Sequence, residues 1–310
     1  MILCCGEALI DMIQSVTDTG EPCFVPHSGG AVFNTAIALG RLRAPSSFLT
    51  GLSTDLFGDQ LRLSLSESHV DTSLAVISDK PTTLAFVRLT EGQASYTFYD
   101  ENTAGRELYP EQLPSLPDDV HALYFGGISL ISEPCAEFYA ALAVREAAKR
   151  VTVLDPNIRI GFVQDTERYR ERLNCMIANT DILKVSDEDL AWIVPGTDPL
   201  RVKVHNMLKI GPKIVILTKG SDGASAFLSN GKVVEVPAQR VELVDAVGAG
   251  DTFNAGVLAK LAENGFLQKD SLNQIAEDDV REALEFGAAV AAVTVSRSGA
   301  NPPWAHELPE

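Results

Sequence analysis

Hydrophobic and polar positions divide the chain into distinct rhythms. Residues 1–5 form an apolar run closed by Gly6, the pattern of a buried strand. After the pair Gly29-Gly30, Val32, Ala36, Leu39 and Leu42 recur at helical spacing. Residues 47–52 read as another strand, and 54–59 as a loop that opens a helix over 61–68. Between residues 70 and 99 the rhythm changes. Three short runs, 74–77, 82–89 and 94–99, are rich in Thr, Val and aromatic residues. Turns at Asp79-Lys80-Pro81 and Glu91-Gly92 separate them, with no helix between. From His121 strands and helices alternate: strands at 122–125, 151–154, 182–185 and 214–217, and a helix over 134–149. A hairpin at 224–228 and 233–236 follows, then a further strand at 241–244. Residues 277–279 read as an acidic linker before a small-residue helix, 287–292. This alternation predicts an α/β fold, a mostly parallel sheet with helices on both faces and an inserted antiparallel patch.

The densest chemistry lies in residues 244–256, Val-Asp-Ala-Val-Gly-Ala-Gly-Asp-Thr-Phe-Asn-Ala-Gly. Phe253, Val257, Leu258 and Leu261 fall at helical spacing, so Gly248-Ala249-Gly250 is a glycine-rich turn feeding a helix N-terminus. The first amides of a helix have no internal partner, and the macrodipole makes that end positive. Small residues let a phosphate approach those amides. Asp251 then sets a carboxylate beside the bound anion. That suits a base taking a proton from an attacking hydroxyl; an ordinary helix cap is the alternative. A dinucleotide fingerprint is excluded because its third glycine position holds Phe253. A P-loop is excluded because Gly231-Lys232 is followed by Val233.

Two segments carry a family resemblance. Asp245-Ala246-Val247-Gly248-Ala249-Gly250-Asp251-Thr252-Phe253 resembles the C-terminal signature of the ribokinase-like (PfkB) sugar kinases. Gly29-Gly30-Ala31-Val32-Phe33-Asn34-Thr35-Ala36 resembles their N-terminal signature. The likeness extends over nearly the whole chain and is strongest to bacterial fructokinases. It implies one three-layer αβα domain over residues 1–310, with a β-sheet lid from about 12–27 and 70–100. It further implies transfer of the γ-phosphoryl group of ATP to a primary hydroxyl of a neutral hexose, fructose foremost. Another sugar, such as 2-keto-3-deoxygluconate or ribose, and a non-catalytic sugar sensor are the alternatives.

The resemblance also assigns residues, each beside a plainer reading. Asp251 is the base, with Gly248, Ala249 and Gly250 as the anion cradle. Asp11, an acid in an apolar segment, needs donors when buried; it reads as a grip on sugar hydroxyls or as an exposed strand end. Gly29, Gly30 and Asn34 fit sugar binding, or a turn and cap. Phe98 and Tyr99 fit the covering of sugar C–H faces, or lid packing. Arg159, in Asp155-Pro156-Asn157-Ile158-Arg159, fits the sugar or phosphate, or a surface loop. Lys184 faces nucleotide phosphates or snorkels. Ser186 and Asp189 stand where the family often has Asn-x-x-Glu, so Asp189 is a shortened candidate beside Mg²⁺ and phosphate. Thr218, Lys219, Gly220 and Gly223 fit the ATP turn or an ordinary hairpin. Gly287, Ala288 and Ala291 admit a flat purine or close helix packing. Ketodeoxygluconate kinases carry Arg at the position of Asp100. Here the acid would repel a carboxylate substrate unless Arg106 or Arg88 compensates. Mg²⁺ is expected on phosphate oxygens and waters without a protein cage, K⁺ beside Asp245 by analogy, and a homodimer through the lids.

Bulk properties narrow the partners. The net charge is −17, from 25 basic and 42 acidic residues, which argues against nucleic acid or an anionic membrane. Five cysteines, Cys4, Cys5, Cys23, Cys135 and Cys175, lack Cys-x-x-Cys spacing, and reduced thiols of a cytoplasmic protein are expected. No basic leader precedes the first strand. The longest apolar run, near 286–295, is too short to span a bilayer.

Overall fold

The computed structural model describes residues 1–90 and 93–308, with 88–90 and 93–96 described by backbone alone. The chain forms β1 (Ile2–Cys5), β2 (Leu9–Val16), β3 (Pro22–Gly29), α1 (Ala31–Arg41), β4 (Ser46–Leu49), β5 (Gly51–Ser53), α2 (Leu56–Glu67), β6 (Val76–Ser78), β7 (Leu84–Thr90) and β8 (Gln93–Tyr99). It continues with β9 (Ala122–Gly126), α3 (Cys135–Glu146), β10 (Val151–Asp155), α4 (Thr166–Ala178), β11 (Ile182–Ser186), α5 (Asp187–Ile193), α6 (Leu200–Leu208) and β12 (Ile214–Thr218). Last come β13 (Ala224–Leu228), β14 (Val233–Val236), α7 (Ala249–Glu263), α8 (Lys269–Leu272) and α9 (Glu277–Val295).

Eight strands make the large sheet, in the order β14-β13-β12-β11-β10-β9-β1-β4. The pairs from β4 to β12 are parallel, and β13 and β14 add antiparallel at one edge. Successive strand residues point to opposite faces. Ile2 and Cys4 therefore join one apolar cluster and Leu3 and Cys5 the other. The first face is covered by α1, α7 and α9, through Leu39, Leu258 and Leu284. The second is covered by α3, α4, α5 and α6, through Phe138, Leu173, Leu190 and Val204. This is the sheet covered by helices on both faces that the alternation of elements predicts, and the three-layer αβα arrangement that the family resemblance implies.

The small sheet has the order β3-β2-β7-β8. Its two hairpin-connected pairs are antiparallel, but β2 and β7 run parallel. A long excursion through α1, α2 and β6 joins those two strands, so no tight turn forces them antiparallel. The Glu91-Gly92 turn lies outside the described residues.

Four expectations are corrected. Residues 47–52 are two strands, because β4 pairs with β1 whereas β5 pairs with β6. For the same reason 70–78 does not belong to the small sheet: Asp71 and Val76 bond back to Phe48 and Thr50. Residues 241–244 are not a strand. The sheet ends at β14, and this stretch instead passes the end of α9, where the Val244 amide donates to the Val295 carbonyl. Residues 277–279 are the first turn of α9, where carboxylates face the positive helix end and Asp279 accepts from the Ala276 amide.

Helices α7 and α9 cross at glycines. A Cβ on Gly287 would lie 2.7 Å from Val257 Cγ2 and 2.9 Å from the Phe253 carbonyl oxygen. Gly287→Val should therefore cost about 1–3 kcal/mol of stability by overpacking, read as a lowered urea midpoint at unchanged slope.

Candidate active site

The helix start at α7 is built by one unusual backbone residue. Gly248 sits at φ 79°, and a Cβ there would lie 2.7 Å from the Ala300 side chain. The chain turns there into α7; the Ala249 amide donates to the Ala246 carbonyl at 3.3 Å, and the Gly250 and Asp251 amides that follow have no partner one turn earlier. Ala246 to Asp251 line a cavity of about 710 Å³ that also takes in Glu7, Leu9, Asp11, Gly30, Asn34, Phe98, Arg159 and Lys184.

Asp251 is only 8% exposed. Its carboxylate accepts from the Asn34 side-chain amide at 2.9 Å, and its backbone carbonyl accepts from the Thr35 hydroxyl at 3.1 Å. Burial lifts its pKa to about 7; Asn34 works against that rise and Asp155 adds to it. One charge-assisted hydrogen bond contributes about 1.5–3 kcal/mol, less than the several kcal/mol that desolvating a carboxylate costs. Asn34 thus holds the carboxylate as well as lining the cavity, a second duty beyond the expected sugar contact.

At the opposite wall, Asp11 projects from β2, and burial lifts its carboxyl to about 6. A side chain at Gly29 would collide with the Asp11 carboxylate. Gly30, at φ 111°, brings its Cα within a Cβ's reach of the Glu7 carbonyl. Phe98 lines the same cavity and meets Phe162 edge-on at 3.9 Å between ring centroids. Tyr99 does not join it. The strand's alternation turns it to the other face, 61% exposed and edge-on to Phe86. Beside Phe98 a second cavity of about 630 Å³ contains Asp100 and Arg106, which pair at 3.0 Å. Asp100 therefore stands neutralised. The Arg88 side chain lies outside the described residues.

Beside the start of α7, Lys184 is buried in β11 and pairs with Asp155 at 2.9 Å. Burial opposes its charge, but the attraction of Asp155 prevails and its pKa is raised. Its Nζ lies 3.3 Å from where a Cβ on Gly250 would be, so the ammonium borders the cradle. Arg159 is exposed and curls back to the Asn157 and Ile158 carbonyls.

Other expected nucleotide residues are placed differently. Both Asp189 oxygens accept backbone amides, from Ile158 at 2.9 Å and Ser186 at 3.2 Å, so this carboxylate caps α5 and pins the loop before Arg159. Its neighbour Glu188 is exposed and lines the cavity instead. Thr218 ends β12, one strand beyond Lys184, and Lys219, Gly220 and Gly223 follow it. A side chain on Gly223 would strike the Val236 carbonyl, which accounts for that glycine. Gly287 is buried against α7, while Ala288 and Ala291 are half-buried on α9. The small residues at 287 therefore serve helix packing.

Several working groups escaped the sequence reading. Glu7 accepts from the Ala31 amide at 2.9 Å and the Ser129 amide at 3.2 Å, bracing the start of α1; burial lifts its carboxyl. Asn254, one turn beyond Asp251, donates to Tyr124 and Asp155. For Asn254 the available signal was position: three residues beyond Asp251, it lies on the same helix face.

Comparison with known proteins gives the family and the fold. A model of the pfkB family of carbohydrate kinases matches residues 1–307. The chain is similar to a fructokinase of Rhizobium leguminosarum bv. trifolii, 51% identical over 281 residues, 91% of this chain and 86% of that protein. It is also similar to a fructokinase of Klebsiella pneumoniae, 32% identical over 276 residues, 88% of this chain and 87% of that one. Its fold matches the crystal structure of fructokinase with bound ATP from Xylella fastidiosa at a TM-score of 0.86 and 28% identity, covering 96% of this chain and 93% of the other. Since the match runs through both glycine-rich segments and the strands between them, this chain belongs to the pfkB family of carbohydrate kinases.

Proposed function

We propose that the chain phosphorylates fructose, transferring the γ-phosphoryl group of ATP to a primary hydroxyl. The observation that carries this is a buried carboxyl at a bare-amide helix start, with its pKa lifted to about 7. Near neutral pH such a group both holds and releases a proton readily, as a general base must. Asp251 takes the hydroxyl proton while the bare amides of Gly250 and Asp251 meet the charge that develops on the transferring group. Asp11 and Asn34 orient the sugar, and Lys184 and Arg159 add positive charge on the phosphate side. The small sheet, carrying Asp11 and Phe98, serves as the lid of a single kinase domain and keeps water from the reaction. A neutral sugar is favoured because Arg106 is already paired with Asp100 and offers no unspent charge to an acidic one.

Mg²⁺ bound with the nucleotide neutralises phosphate oxygens. Such an ion would be held mainly by phosphates and water. Glu188, exposed on the cavity rim, is the carboxylate placed to reach that water shell. Asp245 accepts from the Val247 and Gly299 amides, one on each oxygen. Each oxygen keeps a lone pair that K⁺ would use. We place the protein in the cytoplasm, where its unpaired cysteines stay reduced. No helix among the described residues is long and apolar enough to cross a membrane.

A homodimer through the lids is supported by the sheet's outer face. Phe24 and Tyr99, 46% and 61% exposed, flank Phe86 at 5.1 and 5.4 Å. Such an exposed aromatic row suits a second copy of the chain. Light scattering should report a dimer, and Phe24→Asp with Tyr99→Asp a monomer; a wild-type monomer removes this part of the reading.

ADP release measured over a panel of sugars should be greatest with fructose. Asp251→Asn should lower turnover about 10²–10⁴-fold with sugar affinity nearly unchanged; near-normal turnover refutes the base assignment. The wild-type rate should fall as pH drops below about 7, where Asp251 gains its proton. Asn34 stabilises the ionised form, so Asn34→Ala should raise that pKa and move the acid limb of the rate profile to higher pH. An unmoved limb denies that Asn34 tunes the base.

A further inference from the structure

Asp155 is 1% exposed at the end of β10 and does not itself line the cavity. Its carboxylate is nevertheless shared among three structures that do. Oδ2 accepts from Lys184 Nζ at 2.9 Å and from Asn254 Nδ2 at 2.7 Å; Oδ1 accepts from the Asn157 amide at 3.2 Å. Lys184 borders the cradle at Gly250. Asn254 lies on α7 three residues beyond Asp251, and its amide also reaches the Tyr124 hydroxyl at 2.9 Å. Asn157 stands at φ 44°, a left-handed turn that starts the segment carrying Arg159. Side-chain carboxylates stabilise such turns by accepting the amide two residues on.

We propose that Asp155 is a positioning residue that joins the phosphate-facing cation, the base-bearing helix and the Arg159 loop into one unit. The inference rests on the kinase reading above and goes beyond it, since no substrate reaches Asp155. A buried ammonium needs a partner to stay charged. Without Asp155, Lys184 would lose its proton or swing out of the wall, and the cradle would lose its neighbouring positive charge. An aspartate suits the task because its three acceptor contacts come from three directions. A carboxylate has the lone pairs to serve all of them, and its charge is balanced by one lysine.

The test is a double-mutant cycle in the full-length chain with Asp155→Asn and Lys184→Met, read by ATP-dependent sugar phosphorylation and by thermal unfolding. Groups that act as one unit give strongly non-additive losses. Each single substitution should lower kcat/KM by about 10²-fold, mostly in kcat and the ATP KM, and the double by no more than the worse single. Lys184→Met strands the Asp155 charge, and removing one partner of a buried pair destabilises strongly. Adding Asp155→Asn should therefore raise the melting temperature above that of Lys184→Met alone. The thermal comparison stands even if Asp155→Asn alone does not fold. Losses that multiply, or a double variant that melts below Lys184→Met, overturn the proposal. Failure of the kinase reading shows separately, as retained turnover in Asp251→Asn.

Discussion

A carboxylate kept out of water at the positive end of a helix is the constraint from which the rest of this molecule follows. Water would hold Asp251 ionised and feebly basic. The fold removes that water by packing α1 against α7, so that Asn34 and Thr35 meet Asp251 side chain and backbone. A single hydrogen bond does not offset the loss of hydration, and the carboxyl settles near neutrality. The neighbouring glycines keep the same helix start open to an anion. In the proposed reaction, proton acceptor and phosphate cradle are therefore one structure, four residues long.

Around it the large sheet acts as a frame that delivers charge to one edge. Its parallel strands end in Gly126, Asp155, Ser186 and Thr218 on the side where α7 begins. Opposite charges are paired inside that edge, Lys184 with Asp155. Glu7 anchors two backbone amides nearby. The small sheet brings Asp11 and Phe98 over from the other side. Two carboxyls with raised pKa values, Asp251 and Asp11, thus face one space, the first from helix α7 and the second from the small sheet. Such a space suits an acceptor rich in hydroxyl groups.

Much of this was legible in the residues. The parallel strands announced themselves as short apolar runs, because both of their faces are buried. Gly248 to Asp251 was legible because few chemistries need small residues and an acid at a helix start. What stayed hidden depended on partners distant in sequence. Nothing local in 241–244 reveals that β14 already ends the sheet, and nothing in 70–78 shows that β6 pairs with β5. Asp189 looked like a metal-side acid; its oxygens are taken by amides that only the folded loop brings near. Gly287 reads equally as a purine seat or a helix crossing, and only the position of Phe253 decides. Tyr99 needed the strand register, since one residue's shift changes the face.

The most direct measurement is the titration of Asp251 itself, by carbon NMR of protein labelled at aspartate carboxyl groups, with Asp251→Asn identifying its signal. The account predicts a carboxyl that titrates near 7, because burial outweighs the Asn34 hydrogen bond. A signal titrating near 4, the ordinary aspartate range, would mean that water reaches the group and would contradict the account.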